Sequence, residues 1–98
     1  MTETITTRHP QKGVPGQEIS KAKYDLIRAT IVDVLVVQAP ITLEALTEAV
    51  EGRMRTPFPG KVPWYTKVVL MDLVAKKEVQ RVEGTKPQEF QLWPELKI

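Results

Sequence analysis

One histidine, His9, and no cysteine are all that the chain offers to imidazole or thiolate chemistry. A catalytic triad or an imidazole-based zinc site has almost nothing to work with, and a disulfide framework is excluded. Glu44 and Glu48 stand four apart, which would place two carboxylates on one face of a helix. No activated nucleophile or phosphate-binding glycine loop accompanies them, so the pair reads as a solvated surface. Gly13-x-x-Gly16 falls far below a Walker or dinucleotide-binding fingerprint. No catalytic residue, metal ligand or cofactor is expected, and the chain reads as a non-enzyme.

The chemistry that remains is charge. Residues 1–52 carry five Lys/Arg against seven Asp/Glu. Residues 53–86 reverse that balance, with eight basic residues against Asp72, Glu78 and Glu83. Such a local excess can neutralise phosphates and gives an affinity that falls with salt. The competing reading is an ordinary solvated surface. The length of 98 residues allows one domain with one modest core. No apolar run approaches a membrane span: Ile31–Val37 is interrupted by Asp33. With no signal-like N-terminus, a cytoplasmic location is the default expectation.

Residues 1–18 read as a flexible N-terminal arm. Its string His9-Pro10-Gln11-Lys12-Gly13-Val14-Pro15-Gly16 has breakers too dense for a helix or a central strand. Such an arm is disordered, packs over a neighbour or reaches a groove of DNA. Ser20 is suited to cap a first helix, in which Tyr24, Ile27, Ile31, Val34 and Leu35 follow the spacing of a buried stripe. Leu26, Val32, Val36 and Val37 lie off that stripe. Its β-branched run is a weak helix former that packing must hold, and Pro40 limits continuation.

Ile41 is placed to form a short strand between two helices. Thr42 is placed to cap the second, where Leu43, Leu46 and Val50 repeat at helical spacing. Glu44, Glu48 and Glu51 make its outer face acidic, and Gly52 is expected to end it. A proline-bearing turn, 53–63, then leads to a third helix expected to start at Trp64 and to run to Lys77. On it, Leu70 and Leu73 share one side, Trp64, Val68 and Met71 form another row, and Tyr65 and Val69 a third. Val79 and Val82 are expected to face the core from one strand of a hairpin, Phe90 and Leu92 from the other. Gly84 supplies the positive backbone angle of the connection. Residues 94–98 form a C-terminal tail.

This order predicts a mainly α protein with a small β-hairpin (α+β), a winged helix-turn-helix over residues 19–93. It comprises three helices and a two- or three-stranded wing. The stretches Lys23-Tyr24-Asp25-Leu26-Ile27-Arg28, Trp64-Tyr65-Thr66-Lys67-Val68, Leu70-Met71-Asp72-Leu73 and Val79-Gln80-Arg81-Val82 resemble a family of short, uncharacterised bacterial winged-helix proteins. The likeness covers most of residues 8–93. It implies no catalytic residue and no established ligand. The junction after the third helix departs from the pattern of many transcriptional regulators, which place a glycine where this chain has Lys77.

Two functions follow as expectations. In the first, the chain binds double-stranded DNA as a transcription-related regulator. Arg55, Lys61, Lys67, Lys77, Arg81 and Lys86 would contact phosphates, and Tyr65 would probe the groove. Base reading is expected to be limited, because the third helix has few exposed donors. In the second, Trp64, Val68 and Met71, with Trp93, meet a protein partner or a second copy in a homodimer.

Overall fold

A computed structural model describes residues 3–54 and 61–93 of the chain. The order is β1 (Thr4–Thr6), β2 (Glu18–Ser20), α1 (Lys21–Gln38), β3 (Ile41–Thr42), α2 (Leu43–Arg53), α3 (Val62–Ala75), β4 (Val79–Val82) and β5 (Glu89–Leu92). Among the described residues the chain is thus α+β, with three helices and two small sheets.

The helix starts follow local chemistry. Ser20 Oγ accepts the backbone N–H of Lys23 at 3.4 Å, and Thr42 Oγ1 accepts that of Ala45 at 3.2 Å, each satisfying a donor that a helix N-terminus leaves unpaired. α3 begins two residues earlier than Trp64, at Val62, because Pro63 lies in the first turn, where its missing N–H costs nothing. α2 runs one residue past Gly52, which is not in the left-handed region, so this glycine does not stop it.

Lys77 takes the place of the missing glycine. It adopts a φ of 62°, and the backbone closes the end of α3 twice. The N–H of Glu78 donates to Leu73 C=O at 2.9 Å, and that of Lys77 to Val74 C=O at 3.1 Å. This is the Schellman arrangement, which usually recruits glycine. The chain turns sharply into β4 without one.

The core lies where the three helices meet the larger sheet. Ile27, Ile31 and Val34 of α1, Leu46 and Val50 of α2, and Val69, Leu70 and Leu73 of α3 are all fully buried. Each contributes about 1.5–3 kcal/mol of transfer free energy, which holds the β-branched run of α1 in a helix despite its poor propensity. Leu26, Val36 and Val37, off the stripe, are exposed, whereas Val32 is buried.

The larger sheet runs β3-β5-β4, antiparallel throughout, with Ile41 opposite Phe90 and Val79 opposite Leu92. Val79 and Phe90 are buried. Val82 is a correction: it pairs with Glu89 and is only half-buried. Strand side chains alternate, so residues three apart cannot share a face with Val79. In the β4–β5 turn, Thr85 Oγ1 donates to Val82 C=O at 3.0 Å and accepts Glu89 N–H at 2.9 Å.

The arm is held by pairing across its ends, while residues 11–18 are exposed. Thr4–Thr6 pairs antiparallel with Glu18–Ser20, with Ile5 opposite a buried Ile19. Thr7 N–H donates to Gln17 C=O at 2.8 Å, while Gln17 N–H donates to Thr7 Oγ1 at 2.9 Å. Gly16 is required at this crossing, since a Cβ there would sit 1.6 Å from Thr7 O.

Candidate functional site

The arm reaches α3 through one side chain. Asp72 is fully buried in the middle of an apolar helix, a position that is costly for a carboxylate unless its charge is paired and its oxygens are filled. Both conditions hold. Oδ1 accepts the backbone N–H of Arg8 at 2.7 Å, and Oδ2 accepts the Tyr24 hydroxyl from α1. Lys76, one turn further on at the C-cap of α3, places Nζ 2.9 Å from Oδ2, and also donates to Tyr24 Oη at 3.3 Å. Its ammonium stands 5.2 Å from the centre of the Tyr24 ring, close enough for a cation–π contribution.

This hub ties the arm, α1 and α3 together. Burial pushes the Tyr24 phenol well above its ordinary value, and the hydrogen bond to Asp72 and the charges of Asp72 and Glu78 add to the rise, against a smaller opposing effect of Arg28. Arg28 of α1 pairs with Glu78, just after α3, and so anchors the outer end of the same junction. Asp72 and Tyr24 are therefore structural, with their chemistry consumed inside the molecule.

Toward its N-terminal end, α3 meets the arm differently. An open cleft of about 250 Å³ separates them. Trp64, Val68 and Met71 line it from α3, and Val14 and Pro15 from the arm; Arg8, His9 and Lys67 bring the cationic or titratable groups. The Trp64 residue is 43% exposed, and its ring meets Tyr65 edge-on at 4.9 Å between centroids. His9 Nδ1 accepts the backbone N–H of Gln11 at 3.0 Å.

The sequence-predicted residues divide between two places. Lys67, Trp64, Val68 and Met71 come together at the cleft. Lys77, Arg81 and Lys86 lie exposed at the end of α3, on β4 and in the β4–β5 turn, and Lys61 is exposed just before α3. Tyr65 is half-buried, with its ring 5.4 Å from Lys23 Nζ and its hydroxyl 3.5 Å from it, so it faces α1. Trp93 is half-buried beside the sheet; its backbone N–H donates to Glu78 C=O at 3.1 Å, and its indole N–H has no acceptor among the described residues. Arg55 and the tail 94–98 lie outside the described residues.

Of the polar residues of α3 that could have faced outward, Thr66 and Asp72 are buried, and Lys76 at its C-cap is ion-paired. Only Lys67 remains exposed along the body of the helix. The Tyr24–Asp72–Lys76 hub escaped sequence reasoning, although one signal was available: an Asp in the apolar run Val68–Ala75 with a Lys four residues on. The cleft escaped it because its arm half falls in a segment of glycines and prolines. Among the described residues no group of three or more His, Cys, Asp or Glu could hold a metal ion, and no helix is long and apolar enough to cross a membrane.

A family model, described as a family of unknown function (DUF6958), matches residues 4–90. No curated protein and no solved structure matches the chain.

Proposed function

The chain belongs to that family of unknown function, and we propose that it acts as a winged-helix module, non-enzymatic, which docks on the phosphate backbone of double-stranded DNA. The winged-helix reading is supported by a three-stranded sheet in the order β3-β5-β4, with β3 between the first two helices and the β4–β5 hairpin following the third. A bacterial origin, a cytoplasmic location and a transcription-related role belong to the same proposal.

One observation carries the DNA reading. Lys61, Lys67, Lys77, Arg81 and Lys86 are exposed along one stretch of chain, and none forms a salt bridge among the described residues. Lys21, Arg28 and Lys76, by contrast, are each paired with a carboxylate. Unpaired cations are free to neutralise phosphates and so to release counterions condensed on the DNA, and each phosphate neutralised steepens the salt dependence by about 0.9. Base-edge recognition is weak in this mode, since Lys67 is the one charged side chain that α3 leaves exposed and the arm shares that side of the helix.

The test is fluorescence anisotropy of a labelled random-sequence duplex at two salt concentrations. Binding at low salt that falls steeply with added salt is expected, and Lys67→Glu with Arg81→Glu should abolish it. Absence of binding at low salt overturns the DNA reading.

A second reading, a protein-interaction or homodimer module, is favoured by one observation: the exposed indole of Trp64 beside Val68 and Met71. Burying three such side chains would contribute about 4–6 kcal/mol before association costs, and less here because Val68 and Met71 are already half-buried. Sedimentation at high protein concentration decides it, a monomer counting against the dimer.

A further inference from the structure

We propose that the cleft between the arm and the N-terminal half of α3 is a binding site for a small aromatic carboxylate. This inference rests on the geometry of the cleft and not on the DNA reading.

Its size comes first. At about 250 Å³ the cleft is slightly below the range of sites that hold drug-sized ligands, so a ligand of one or two rings suits it. Its walls select the ring. Trp64, Val68 and Met71 on α3 and Val14 and Pro15 on the arm give two apolar sides. Trp64 carries the largest side chain among them, and the residue remains 43% exposed. A planar aromatic group gains most from such a surface, through area removed from water and ring–ring contact.

The polar groups select the sign of charge. Arg8 and Lys67 line the cleft, and neither is in a salt bridge among the described residues. His9 uses Nδ1 as an acceptor from Gln11 N–H, so in the neutral ring the proton resides on Nε2, a donor. Among the described residues no Asp or Glu lines the cleft. The nearby carboxylate of Asp72 is already engaged by Arg8 N–H, Tyr24 and Lys76. Two cations and an imidazole around an apolar floor, with no competing carboxylate among the described residues, complement a ligand with a flat ring and one anionic group. Charge-assisted hydrogen bonds to a carboxylate are roughly twice as strong as neutral ones, so the acid is preferred over its neutral amide.

The site also has a consequence for the DNA reading. Lys67 cannot pair with a ligand carboxylate and a DNA phosphate at once, so an occupied cleft would withdraw one phosphate contact.

Naphthoate and naphthamide are the probes, titrated into the isotope-labelled full chain and followed by nuclear magnetic resonance. The two indole N–H signals, Trp64 and Trp93, report the cleft and an internal reference; Trp93→Phe assigns them. Naphthoate is expected to shift the Trp64 signal saturably and leave Trp93 in place. Naphthamide should bind about tenfold more weakly, and Lys67→Gln should weaken naphthoate by about tenfold, the size of one charge-assisted contact. The proposal is overturned by no saturable shift at Trp64 up to about 5 mM naphthoate, by equal shifts at both indoles, or by acid and amide binding alike. Because no DNA is present, failure here leaves the DNA reading standing, and failure of the duplex titration leaves this site standing.

Discussion

In its C-terminal half α3 meets the arm through a buried carboxylate, whereas its N-terminal half meets the same arm across an open, cation-bearing cleft. Each end has a lysine, Lys67 within the first half and Lys76 at the C-cap. Lys76 stands beside a fully buried Asp72 and a tyrosine hydroxyl; Lys67, nine residues earlier, lines the cleft without a salt bridge among the described residues. A charge next to a buried partner is consumed by the fold, because releasing it would strand the partner in a low-dielectric interior. A charge on a cleft rim stays available to a ligand or a phosphate. The comparison therefore separates which cations can carry function from which cannot.

The strongest way to break the C-terminal half is Asp72→Ala. It deprives Arg8 N–H, Tyr24 and Lys76 of their shared acceptor and should cost about 3–5 kcal/mol, the range for removing one partner of a buried pair. Urea denaturation would read this as a large fall in midpoint. The matching change in the other half, Lys67→Ala, should stay within about 0.5 kcal/mol. If the two substitutions cost the same, the division of α3 into a structural and an available half is wrong.

Next in size is Gly16→Ala, which attacks the arm at its own crossing with Thr7. The added Cβ would collide with the Thr7 backbone at 1.6 Å, so the crossing of Thr7 and Gln17 must open. A cost of about 2 kcal/mol is expected, typical of a steric insertion that the backbone must absorb. Hydrogen exchange at the Thr7 and Gln17 amides checks it: both are bonded across this crossing and both should lose protection. Unchanged protection would show that the arm tolerates the collision by other means.

How far the sequence reaches follows the same division. The stripe of α1, the Ser20 and Thr42 caps, β3 and the β4–β5 hairpin were legible because each is encoded within one or two turns of chain: an apolar period, a hydroxyl three residues before a free N–H, a proline stop. The strands of the arm were not, because three residues such as Thr-Ile-Thr are too short to establish a period among breakers. Asp72 was visible as an oddity in an apolar helix, but its partners Arg8 and Tyr24 are 64 and 48 residues away, and no local pattern carries such contacts. Val82 was misplaced by treating a three-residue interval as one face of a strand.

A smaller break in the hub comes through Tyr24. Tyr24→Phe keeps the ring and deletes the hydroxyl that donates to Asp72, which should cost about 1–2 kcal/mol near neutral pH. The pH dependence has a definite sign. The folded phenol titrates above the unfolded one, whose value is about 10. Stability from this group is therefore fully present below about pH 10 and is lost as the pH rises further, because the unfolded chain releases the proton first. By about pH 11 the loss should reach roughly 1 kcal/mol, measured as the difference between wild type and Tyr24→Phe in urea midpoints. A difference that does not narrow above pH 10 would show that the hydroxyl is not held as a donor.

The smallest effect runs in the opposite direction. Lys77 ends α3 in a left-handed conformation that costs a residue with a Cβ about 1 kcal/mol. Lys77→Gly removes that strain but also frees the unfolded chain, so a net gain of about 0.5 kcal/mol in denaturant stability is expected. The two backbone bonds from Lys77 and Glu78 to Val74 and Leu73 remain possible in either case. On the DNA reading, the same change deletes an exposed cation and should flatten the salt dependence of duplex binding by about 0.9. A more stable protein with a flatter salt dependence would mean that the lysine is kept at this turn for its charge, against the preference of the backbone. A more stable protein with unchanged salt dependence would remove Lys77 from the phosphate surface.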